Sequence, residues 1–265
     1  MKERIITGLL AAIIFIPIVF FGGILFYSAI ALLSILALRE LLRMKKIVLW
    51  DFAGVVSSVM VLILIIPDDL GERIFEDASI KITTIIFGLL LLLTWTVITK
   101  NHFSFEDASF VLMATLYLGV GFLYLNETRA LDNGVSSIFF VLFIVWATDT
   151  GAYFFGKSFG KRKLWPVISP NKTIEGSLGG LACAILVAVV YQLLLPIYSA
   201  FIFAILAAII IGIFGQIGDL VESAFKRHYQ VKDSGTLLPG HGGILDRFDS
   251  ILFVLPILHI LQLMS

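Results

Sequence analysis

Residues 200–217 read AFIFAILAAIIIGIFGQI, and Gly218-Asp219-Leu220-Val221-Glu222-Ser223 follow without a proline. As a helix the uncharged run rises about 27 Å, near the roughly 30 Å of a bilayer's hydrocarbon core. Asp219, Glu222, Ser223 and Lys226 fall at i, i+3, i+4 and i+7, so they share one helical face. One stripe thus continues from lipid into the aqueous phase. An ordinary helix end with an i,i+4 Glu222–Lys226 pair explains that much by itself.

Comparable runs cover about residues 5–23, 24–42, 52–67, 80–99, 109–125, 137–156, 177–195 and 250–263. With 200–217 they predict an all-α, polytopic membrane protein of about nine transmembrane helices. The runs at 52–67 and 250–263 are short, which suits tilted or re-entrant segments. Gly22-Gly23 separates the first two runs and predicts a tight helical hairpin. The run at 5–21 is long for a signal peptide, and no small-residue cleavage site follows it.

Composition agrees. Apolar residues make up 59% of the 265 and charged residues 14%, with a mean hydropathy of +1.03. A soluble surface needs about a quarter charged residues. The formal net charge of +0 lacks the basic excess expected for nucleic-acid binding. The one cysteine, Cys183, lies in an apolar run and reads as a small packing residue.

Placement of the 19 basic residues sets the orientation. With the N-terminus inside, 16 fall in inner segments, and only Arg73, Lys81 and Arg129 fall outside. The long polar stretches, 157–176 and 219–249, are then both cytoplasmic. The chain divides by order into N-terminal helices, 1–108, and C-terminal helices, 109–265, that carry the chemistry.

Asp149 lies near the inner end of the sixth run, where a charge is costly unless it faces a polar cavity or headgroup water. Ser169-Pro170-Asn171-Lys172-Thr173-Ile174-Glu175-Gly176 follows the basic loop. Pro170 stops any preceding helix, Ser or Asn would cap the next, and Lys172 in its first turn opposes the helix dipole unless an anion is near. Further on, Lys232-Asp233 leads to Pro239-Gly240-His241-Gly242-Gly243, whose glycines suit an anion nest. Asp246 and Asp249 lie i,i+3 at the start of the last helix, with Arg247 between them. Carboxylates beside phosphate-binding lysines favour Mg²⁺, while His241, near no second zinc ligand except His228, does not build a zinc site.

The pattern Ser223-x-x-Lys226-Arg227, Lys232-Asp233-x-Gly235, Leu238-Pro239-Gly240-His241-Gly242-Gly243-Ile244-x-Asp246-Arg247-Phe248-Asp249 resembles the signature of the phosphatidate cytidylyltransferases. The segments at Asp149-Thr150-Gly151 and 169–176 resemble that family too, so the likeness covers roughly the C-terminal half. It implies conversion of CTP and phosphatidate to CDP-diacylglycerol and pyrophosphate in phospholipid biosynthesis at the inner membrane. It implies Mg²⁺ on Asp219, Asp246 and Asp249, with room for a second cation and for a homodimer. Lys172, Lys226 and Arg247 would neutralise phosphate oxygens. Asp149, Asn171, Ser223, Arg227, Lys232, Asp233, Gly240, His241, Gly242 and Gly243 would bind substrates. A CTP-dependent lipid kinase, resembling dolichol kinases, is the alternative enzyme. An ion-coupled transporter is the non-enzyme reading, but it predicts charges at span centres rather than at inner ends.

Overall fold

The computed structural model describes residues 2–75, 79–240 and 242–264. Each of the nine expected runs coincides with a helix. Among the described residues six helices are long and apolar enough to cross a membrane: α2 (Gly23–Met44), α5 (Ile80–Ile98), α6 (Phe105–Ala130), α7 (Gly134–Phe159), α8 (Ile174–Leu194) and α9 (Phe201–His228). The chain is a polytopic helical membrane protein. Of the other three expected spans, α1 (Lys2–Phe21) has 20 residues, while α3 (Phe52–Leu64) has 13 and α10 (Leu245–Ile260) has 16. A short α4 (Asp68–Phe75) precedes α5.

Contacts divide the chain into two compact units, 1–130 with 231–246, and 131–230 with 247–265. The division at residue 108 read from the sequence separates helices along the chain. These units are defined by packing, and residues 231–246 return to the first.

In the first unit the Gly22-Gly23 hairpin has a clear cause. Both glycines take positive φ, 63° and 54°. Arg129 Nε donates to Val19 O at 2.6 Å and its Nη2 to Phe20 O at 3.1 Å. These carbonyls at the end of α1 lack the N–H donors of a next turn, and the guanidinium supplies donors in their stead. A Cβ on Gly22 would collide with that guanidinium. Asn126, buried on α6, similarly donates to Ile65 O just past α3 at 2.7 Å. Small residues bring the helices close: a Cβ on Gly88 would strike Met60, and one on Gly119 would strike Leu64.

In the second unit α7 packs on α8 through glycine. A Cβ on Gly180 would sit about as close as 2.5 Å to Thr148 O, and one on Gly176 would reach Ala152 O at 2.7 Å. Two strands precede α8: β1 (Lys163–Trp165) and β2 (Ser169–Thr173), paired antiparallel. The N-cap of α8 is Thr173, whose Oγ1 accepts from Gly176 N at 3.1 Å. Neither Ser169 nor Asn171 has that role, because strand pairing holds both upstream of the helix. Lys172 is consequently a strand residue just before the cap, not a first-turn residue.

Candidate active site

The site in the second unit is built where α9 changes from apolar to charged. Asp219 and Glu222 stand one turn apart on α9, and Asp249 stands on α10. One carboxylate oxygen from each lies within 4.8 Å of the others. Close backbone approach makes this possible: a Cβ on Gly218 would reach Asp249 O at 2.8 Å. Glu222 is fully buried.

Three carboxylates this close repel one another unless positive charge is supplied. Two lysines supply it. Lys172 Nζ, delivered by β2, lies 2.6 Å from Asp219 Oδ2. Lys226 pairs with Glu222 one turn along α9. Ser223 Oγ donates to Asp219 Oδ1 at 3.2 Å. Asp149 lies within electrostatic reach of Asp219, Lys172 and Arg247, and Asp249 within reach of Asp219, Asp149 and Lys226. The donors are all hard oxygens, which fits Mg²⁺ and fits zinc poorly.

The hairpin that carries Lys172 is itself tied down. Glu175 accepts from the backbone N–H groups of Lys161 at 3.0 Å and Arg162 at 3.1 Å. Arg227 Nε donates to Ile168 O at 3.2 Å, linking the end of α9 to the same hairpin. Asn171 is exposed on β2.

The remaining expected residues lie in the first unit, on the loop at 231–246. Lys232, Asp233 and Gly240 are exposed there. His241 lies outside the described residues. Leu238 N donates to Gly242 O at 3.0 Å and closes the glycine turn, with Gly240 and Gly242 at φ 75° and 83°. Asp246 Oδ2 accepts from Ser234 N at 2.9 Å, Ser234 Oγ at 2.8 Å and Gly243 N at 2.8 Å. A Cβ on Gly242 would collide with that same carboxylate.

Two acidic residues escaped the sequence reading. Glu222 stands on the Asp219 stripe, but the sequence reading leaves it out of the metal set. Glu40 near the end of α2 is buried and bonded to the loop. Its sequence signal was an acid within an apolar span.

The carboxylate trio, met by two lysines at the charged end of a membrane helix, is a group that could hold a metal ion. The model of the Cytidylyltransferase family matches residues 2–264. The protein named phosphatidate cytidylyltransferase from Staphylococcus epidermidis is 48% identical over 265 residues, covering 100% of both chains. That of Bacillus subtilis is 48% identical over 98% of this chain and 97% of its own. That of Staphylococcus aureus is 46% identical over the full length of both. The chain belongs to the phosphatidate cytidylyltransferase family. Its likeness extends through the N-terminal helices, well beyond the C-terminal motifs that first suggested it.

Proposed function

We infer that this chain catalyses CTP plus phosphatidate to CDP-diacylglycerol plus pyrophosphate. The observation that carries this reading is full-length similarity, at 48% identity, to relatives named for that activity. A phosphatidate oxygen bonds to the α-phosphorus of CTP, and the bond from that phosphorus to the β-phosphate bridging oxygen breaks. The phosphate nucleophile is already anionic at neutral pH, so no general base is required. The work is to bring two anions together and to stabilise charge on the departing pyrophosphate.

The lysine and carboxylate geometry supports that task. Lys172 and Lys226, with Arg247, neutralise phosphate oxygens. Asp219, Asp249 and Asp246, which lies one turn before Asp249 on α10, would hold Mg²⁺. When bound, the ion offsets phosphate charge, and a second cation has the same chemistry to answer. Asp149, Asn171, Ser223, Arg227, Lys232, Asp233 and the glycines at 240, 242 and 243, with His241, contact the substrates. The 16-to-3 split of basic residues supports nine spans, an inside N-terminus and a site reached from the cytoplasm and the inner leaflet.

The test is purified protein with α-phosphate-labelled CTP, phosphatidate and Mg²⁺. Label entering lipid is expected. Label left in CDP would identify a lipid kinase instead, and unchanged CTP would favour a transporter. Orientation is checked with single cysteines in a Cys183→Ala background. Asp69→Cys and Asn133→Cys should react with an impermeant thiol reagent outside intact cells, and Ser158→Cys should not.

A further inference from the structure

The loop at 231–246 is held to α2 by one buried side chain. Glu40 is 7% exposed, close to the end of an apolar span where an acid needs a reason. Its Oε1 accepts from Ile244 N at 2.9 Å, and its Oε2 accepts from Leu245 N at 2.9 Å and lies 3.0 Å from Ser234 Oγ. The two backbone donors open α10, whose first N–H groups have no partner within the helix. A carboxylate there meets both the unpaired donors and the positive end of the helix dipole.

The loop is shaped around this carboxylate. A Cβ on Gly235 would strike one Glu40 oxygen, and a Cβ on Gly243 would strike the other. Both glycines belong to the signature, and both leave the volume that the carboxylate fills. Ser234 joins Glu40 to Asp246, since its Oγ lies 3.0 Å from one carboxylate and 2.8 Å from the other. Glu40 therefore grips both ends of the segment 234–245 that carries the glycine turn, and its first contact, Ser234, directly follows Lys232-Asp233.

We propose that Glu40 is a positioning residue for CTP binding, holding the loop at 231–246 in its binding conformation through Ser234, Ile244 and Leu245. The proposal rests on the cytidylyltransferase reading. Glu40 touches no substrate in this scheme; it acts through the loop. Glutamine at this position would turn an amide donor toward backbone donors, leaving at least one of them unpaired in a buried place.

In wild-type protein and in the Glu40→Gln, Glu40→Asp and Ser234→Ala variants, CTP and phosphatidate are varied separately in mixed micelles. Amide exchange is followed over the whole chain in parallel. Glu40→Gln should raise the KM for CTP about tenfold, matching the loss of one buried hydrogen bond, and leave the KM for phosphatidate unchanged. Exchange should quicken within 234–245 and stay unchanged elsewhere. Glu40→Asp keeps the acceptors and should recover part of the affinity. Ser234→Ala, a smaller change, should reproduce the direction if Glu40→Gln fails to accumulate. Faster exchange throughout the first unit with both KM values unchanged would mean a general folding role and overturn the proposal. So would unaltered loop exchange in these variants. A wild-type protein that made no CDP-lipid would refute the activity instead, and the exchange result would still decide whether Glu40 holds the loop.

Discussion

The two units meet acidic side chains in opposite ways. In the first, Glu40 and Asp246 are met by backbone N–H groups and the Ser234 hydroxyl, donors fixed by the fold. In the second, Asp219 and Glu222 are met by Lys172 and Lys226, at the ends of flexible side chains. Fixed dipoles hold a shape, because exchanging them means unfolding a loop. Ammonium groups on four-carbon stems can leave one anion for another at little structural cost. The first arrangement suits holding a geometry, and the second suits trading partners with the cation and phosphates of the proposed reaction.

The comparison breaks first at the second unit's carboxylates. Asp219→Asn and Asp249→Asn should each lower kcat on the order of 10²-fold or more, the scale of removing one electrostatic contact from a transition state. Protein level and thermal stability should stay near wild type, as measured in detergent by a melting curve. A collapse of folding in both variants would make this cluster structural like its counterpart.

Next come the lysines. Lys226→Met should lower kcat and kcat/KM together if its charge acts on the departing pyrophosphate, by roughly tenfold or more, and Lys226→Arg should restore only part. Lys172→Met should instead raise the KM for phosphatidate and spare kcat, since Lys172 precedes a helix that lipid can reach. Steady-state kinetics with separately varied substrates distinguishes the two. An unchanged kcat in Lys226→Met would remove it from the catalytic set.

The first unit should answer in stability. Gly243→Ala forces a methyl into the Glu40 carboxylate and should cost about 1–3 kcal/mol, as overpacking does. A lowered Tm is the expected reading, and an unchanged Tm would mean the loop is not fixed there. The smallest effect is expected at Glu222→Gln. It removes the partner of Lys226 but leaves Asp219 and Asp249, so the rate should fall only a few-fold, the scale of a single hydrogen bond. A loss as large as that of Asp219→Asn would promote Glu222 to a metal ligand.

Much was legible in the sequence because it is local. Apolar runs of bilayer length must satisfy their backbone internally, so they become helices wherever they are placed. The stripe of Asp219, Glu222, Ser223 and Lys226 follows from helical periodicity alone. The signature with its glycines was recognisable as a string. Even so, Lys172 was expected in a helix, because nothing local in Ser169-Pro170-Asn171 announces pairing with Lys163–Trp165.

Tertiary structure decided the partners. Glu40 meets Ser234 across 194 positions of sequence and Leu245 across 205, and no periodicity reaches so far. Lys172 meets Asp219 only because a strand delivers it to α9. Glu222 enters the carboxylate group because Asp249 is brought beside it by a separate helix. Backbone hydrogen bonding and lipid thickness are demands each segment meets alone, so the sequence determined the helices. A buried charge must find its counter-charge or donor in another segment, so only packing determined which acids shape the loop and which face the chemistry.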